Sequence, residues 1–134
     1  MTGENRAANI ELERERWEAA LRSAGLLHEA GEHADSVSRA YYAMLHAATA
    51  VLLTEGLEAR THSGVAHLLN LHFVRSGRFP PEQARRLTRL QAEREAADYD
   101  RAAVFTREAS EDTLTQAGEF CSACRKVLEA WRPD

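Results

Sequence analysis

Proline occurs at only three positions, Pro80, Pro81 and Pro133, and this constrains the fold more than any other feature of the sequence. Proline removes a backbone donor and breaks a helix interior, so everything before Pro80 is free to be helical. Apolar residues there recur at three- and four-residue spacing without strand-like alternation. The expectation is an all-α chain. A first helix is predicted from about Ile10 to Ala30, with Ile10, Trp17, Leu21 and Ala24 on one stripe, Gly31 as its stop and residues 1–8 frayed. A second spans about Asp35 or Ser36 to Glu55, closed by Gly56. Its main face is Val37, Tyr41, Met44, Ala48 and Val51, and Tyr42, Leu45 and Leu52 widen it. A helix apolar on more than one side belongs at the centre of a bundle.

A third helix starts after Thr61, a good capping residue, and carries Val65, Leu68, Leu69, His72 and Phe73 up to Ser76-Gly77. The Pro80-Pro81 pair opens a fourth that runs to about Tyr99, proline being welcome in a first turn. The fifth, about Val104 to Trp131, repeats Leu114, Ala117, Cys121, Cys124 and Leu128 at alternating three and four. The chain thus reads as a single domain over 1–134, an antiparallel bundle of about five helices.

The 134 residues are 44% hydrophobic, enough for a core, yet no apolar run approaches the ~20 residues of a membrane span. Met1 to Arg16 contains no signal-peptide core, and two cysteines without such a signal suit the cytoplasm. The net charge of −4 argues against a general nucleic-acid coat protein. It is unevenly spread: Arg75, Arg78, Arg85, Arg86, Arg89 and Arg94 face only Glu82 and Glu93 between residues 75 and 94. Those six arginines are the candidate phosphate- or RNA-binding groups. Lys126 is the only lysine; an arginine bias suits bidentate phosphate recognition, although a GC-rich genome accounts for it more simply.

Arg39 and His46 lie seven residues apart in the second helix, two turns and ~10.5 Å of rise, so they share a face. Metal-independent RNA cleavage needs a base for the 2′-hydroxyl, an acid for the leaving oxygen and a cation at the phosphorus centre. His46 and Arg39 suit the first and last roles, with a second His46 across a two-fold axis as the acid. The competing reading is a packed histidine and an arginine tied to an acidic residue. Tyr42, Thr61, His62, Ser63, Asp98 and Tyr99 are further candidates: Thr61-His62-Ser63 opens a helix, where anions bind or residues simply cap, and Arg94, Asp98 and Arg101 share a face as a phosphate cluster or an ion-pair ladder. Cys121-x-x-Cys124 falls on the apolar seam and reads as packing. His62, His67 and His72 recur every five residues, which scatters them around a helix; no metal site and no cofactor are expected.

The stretches Leu26-Leu27-His28-Glu29-Ala30-Gly31, Ser38-Arg39-Ala40-Tyr41-Tyr42-Ala43-Met44-Leu45-His46-Ala47-Ala48, Thr61-His62-Ser63-Gly64-Val65, Phe73-Val74-Arg75-Ser76-Gly77 and Arg94-Glu95-Ala96-Ala97-Asp98-Tyr99 together resemble the HEPN-domain family. These are small prokaryotic helical bundles often encoded beside minimal nucleotidyltransferases, and the likeness covers about residues 21–125. The resemblance implies a toxin–antitoxin or defence setting and two competing functions. One is a non-catalytic module that binds a nucleotide or a nucleotidyltransferase antitoxin. The other is a metal-independent ribonuclease toxin with an Arg39/His46 site at a homodimer cleft. Arg39 and His46, with six residues between them, fit the family's Arg-x4–6-His formula, but the family's pair lies on a later helix. The late segment here, Arg94 to Tyr99, contains no histidine.

Overall fold

The computed structural model describes the backbone of residues 3–99 and 105–133 and their side chains except those of 96–99. The described residues form five α-helices and no strand: α1 (Gly3–Glu29), α2 (His33–Leu53), α3 (His62–Leu69), α4 (Pro81–Tyr99) and α5 (Arg107–Ala130). None is long and apolar enough to cross a membrane. A single π-helical turn, Asn70–Val74, follows α3.

Three contacts fix the register of α1 on α2. The Ser36 hydroxyl donates to the Ala24 carbonyl at 2.7 Å, His46 Nδ1 lies 2.7 Å from Glu13 Oε2, and the Arg6 guanidinium sits beside Gly56 just past the end of α2. As one partner advances along the chain the other retreats, so α1 and α2 form an antiparallel hairpin. The Arg6 contact accounts for a helix that starts at Gly3, ahead of the apolar stripe at Ile10. α5 runs the other way relative to α1: Ser110 meets His28, and Arg125 reaches back to Glu18 at 3.4 Å. It is therefore parallel to α2, where the Cys121 thiol faces the Ala43 carbonyl at 3.8 Å. α4 packs antiparallel to α5, with Arg86 paired to Glu119 at 2.7 Å.

α2 packs against all four other helices. Ala40, Ala43, Ala47 and Ala50 have no exposed surface; their small side chains let α1 and α5 approach closely. Trp17, Tyr41, Phe73, Phe79 and Phe120 fill the spaces between, with the Phe79 and Phe120 rings edge to face at 5.5 Å. The apolar surplus of α2 is covered within one chain.

Helix ends follow local chemistry. Thr61 Oγ1 accepts the Gly64 N–H at 2.9 Å and Thr106 Oγ1 that of Ala109 at 3.1 Å. Gly56, at φ +68°, closes α2 in a left-handed turn that an L side chain resists. After α3 the Arg75 N–H bonds the Asn70 carbonyl at 3.1 Å, five residues back, where the sequence pattern predicted a regular helix through Phe73. Asn70 Nδ2 bonds the Ala66 carbonyl at 2.9 Å, so the side chain assists this wider turn.

Candidate functional site

Beyond its first turn, α2 is buried except at Ser38, Arg39, Tyr42, His46 and Thr49. Their spacing of one, three, four and three traces one narrow stripe, the only part of this central helix open to solvent after its first turn. It carries three of the candidate residues.

Tyr42 is the focus of the stripe. The Arg39 guanidinium, one turn earlier, stands 4.8 Å from its ring centroid. Arg94, from α4, reaches the same ring at 5.1 Å and the buried Tyr41 ring at 4.9 Å. His62, the first residue of α3, sets its imidazole at right angles to Tyr42 at 6.1 Å and 5.8 Å from Tyr41. Arg94 can do this because it is seven residues after Leu87 and four after Leu90, on the face by which α4 packs. Cation–π attraction holds both guanidiniums near one ring, and among the described residues no carboxylate pairs with either. Two arginines around one tyrosine, with a histidine at its edge, form a positive aromatic surface suited to phosphate oxygens and an unstacked base.

Tyr41 is fully buried beneath this surface, and its hydroxyl has no partner among the described residues. Burial pushes its phenol up to about 12, against the opposing pull of Arg94. It therefore stays protonated and acts as a floor for the site.

His46 lies one turn beyond Tyr42 but leans the other way. Its Nδ1 meets Glu13 of α1 at 2.7 Å, with the histidine side chain 30% and the glutamate 13% exposed. Arg16 holds the other carboxylate oxygen at 3.2 Å. The two residues singled out for a shared site thus lie on one stripe with different partners: Arg39 stacks on Tyr42, and His46 bonds to Glu13.

The basic segment is divided. Arg94 is in the cluster. Arg78 is engaged with Glu55 at 2.6 Å, with the His72 carbonyl at 3.0 Å and with the Phe73 ring at 4.4 Å, and Arg86 with Glu119. Arg75, Arg85 and Arg89 are exposed, Arg85 half a turn away from Arg94 around α4. Thr61 caps α3, and its hydroxyl lies 3.4 Å from that of Ser63. The Asp98 and Tyr99 side chains, and Arg101, lie outside the described residues.

A second polar cluster had no sequence signal. The buried Ser110 hydroxyl lies 2.6 Å from His28 Nδ1, 3.0 Å from His33 Nδ1 and 3.1 Å from the Arg107 carbonyl. One hydroxyl owns one proton, so at least one imidazole donates to it. The cluster joins the end of α1 and the starts of α2 and α5. Both cysteines are free and buried; burial pushes the Cys121 thiol up to about 12 and the Cys124 thiol up as well, which suits packing. Among the described residues no three His, Cys, Asp or Glu side chains gather as a metal would require.

The sequence profile of the HEPN domain matches residues 8–127. A UPF0332 protein of Thermotoga maritima is 32% identical over 120 residues, which are 90% of this chain and 91% of that protein. A candidate toxin of Methanocaldococcus jannaschii is 35% identical over 109 residues, 81% of each chain. A UPF0332 protein of Pyrococcus horikoshii reaches 49% identity over 76 residues, 57% of this chain and 54% of that longer relative. With its five-helix bundle and this match along most of its length, the chain belongs to the HEPN-domain family.

Proposed function

We propose that this protein is an RNA-cleaving toxin-type HEPN protein of a toxin–antitoxin or defence system, acting on single-stranded RNA without a metal at the open stripe of α2. The observation that carries the reading is the Tyr42 ring with the Arg39 and Arg94 guanidiniums both close to it, His62 at its edge and His46 one turn along. Two relatives from Methanocaldococcus jannaschii named as candidate toxins support the setting.

In this reading an unstacked base lies against Tyr42, and the adjoining phosphate is gripped by Arg39 and Arg94. His46 takes the 2′-hydroxyl proton as that oxygen attacks phosphorus. The bond from phosphorus to the 5′-oxygen breaks, His62 supplies the proton to that oxygen, and a 2′,3′-cyclic phosphate remains. The arginines stabilise the extra negative charge at phosphorus. Because His62 comes from the same chain, the chemistry does not require the second His46 of a homodimer.

The test is cleavage of unstructured RNA by purified protein in excess chelator. Turnover that falls at least ~10²-fold in His46→Ala or His62→Ala supports the reading. Absence of turnover, with a stable complex formed instead with a nucleotidyltransferase, would return the protein to the class of non-catalytic binding modules.

A further inference from the structure

We infer that Glu13 is the positioning residue for His46, an inference that rests on the RNA-cleaving reading. A carboxylate can only accept hydrogen bonds, and Glu13 Oε2 lies 2.7 Å from His46 Nδ1, so Nδ1 carries the proton. In the neutral ring the lone pair then belongs to Nε2, which has no partner among the described residues. The partly exposed imidazole thereby offers its basic nitrogen away from α1.

Three features hold this arrangement. The antiparallel register brings position 13 opposite position 46, as Ser36 on Ala24 does further along. Glu13 is mostly buried, at 13% exposure. Its other oxygen is occupied by Arg16 at 3.2 Å, one turn along α1. With both oxygens engaged, the carboxylate is held against the ring bonded to it. When His46 takes the 2′-hydroxyl proton on Nε2, the ring becomes an imidazolium facing an anion already in place. Glu13 keeps its charge and takes no proton; it acts by fixing the tautomer and stabilising the cation.

Two measurements on the full chain test this. Long-range proton–nitrogen correlation spectra of the imidazole rings report which nitrogen of His46 is protonated, whether or not the protein cleaves RNA. The wild type should show a protonated Nδ1 and a bare Nε2, and Glu13→Ala should shift His46 toward the Nε2-protonated form. Glu13→Gln, whose amide oxygen can still accept from Nδ1, should retain the wild-type pattern. In RNA cleavage Glu13→Ala should lower kcat at least ~10-fold, part of the ~10²–10⁴ that a base supplies, with KM within about twofold. Glu13→Gln should fall between Glu13→Ala and the wild type.

A protonated Nε2 in the neutral wild-type ring would overturn the inference, as would a Glu13→Ala variant that loses melting temperature but keeps both tautomer and kcat. Wild-type protein that fails to cleave RNA, with the expected tautomer pattern, would overturn the cleavage reading and leave Glu13 as the residue that orients His46.

Discussion

His28 and Ser110 lie 82 positions apart in the chain, yet the imidazole nitrogen and the hydroxyl oxygen meet at 2.6 Å in the interior. Removing the hydroxyl leaves a buried ring nitrogen unpaired, and such groups cost about 1–3 kcal/mol. Ser110→Ala should therefore lower the urea midpoint by that stability with an unchanged slope. A change under about 0.5 kcal/mol would mean that the cluster contributes little. Ser110→Thr adds a methyl to a position with no exposed surface and should not restore stability.

The arginines of the basic segment should separate in their effect on RNA binding. Arg94→Ala removes a guanidinium that has no carboxylate partner among the described residues. It should weaken single-stranded RNA binding and reduce the slope of log affinity against log salt by about 0.7 for each phosphate no longer neutralised. Arg78→Ala, whose guanidinium already pairs with Glu55, should leave that slope unchanged. Fluorescence anisotropy at a series of salt concentrations is sufficient, and equal slopes for both variants would refute the assignment.

His46 and His62 should behave as a unit in catalysis. His46→Ala should abolish cleavage while the helical circular dichroism persists, since its side chain is already partly exposed. Groups acting in one step are strongly non-additive, so the His46→Ala, His62→Ala double variant should be no slower than the worse single variant. Multiplicative losses would indicate separate roles. Arg39→Lys should also impair cleavage, because lysine keeps the charge but loses the two-pronged grip.

Alkaline pH should destabilise the fold. The thiol of Cys121 and the phenol of Tyr41 are both pushed up to about 12 by burial, whereas in the unfolded chain they ionise near ~8.5 and ~10. Above those unfolded values the unfolded chain binds fewer protons than the native one, and stability falls as pH rises. Denaturation midpoints should decline from about pH 9 upward, and Cys121→Ser should blunt the early part of the decline. The thiols should resist alkylation at about pH 8 until denaturant is added.

The fold was legible because its signals are local. Helical spacing, the Pro80-Pro81 pair, the Thr61 cap and the Gly56 stop each act within a few residues, and each appears where the pattern put it. Where the sequence pattern and the structure differ, the cause is tertiary. The start of α1 depends on Arg6 reaching the far end of α2. The π turn changes hydrogen-bond pitch without changing which side chains are apolar. The site was legible only as a set of residue types. Arg39, Tyr42, His62 and Arg94 were all nominated, but from three separate helices, and nothing in the linear spacing says that the packing face of α4, which carries Arg94, meets Tyr42 and His62. Glu13 was missed because its significance is a matter of register; only tertiary contacts such as Ser36–Ala24 and Arg6–Gly56 tell which residue of α1 stands opposite His46.

Because a single open stripe runs down an otherwise enclosed α2, its positions fall into two groups with little overlap. Those facing inward answer to packing, and those facing outward are free to change their chemistry. Exchanges at Arg39, Tyr42 or His46 need not disturb the packed interior, so a bundle of this design separates its stability from the chemistry of its open face.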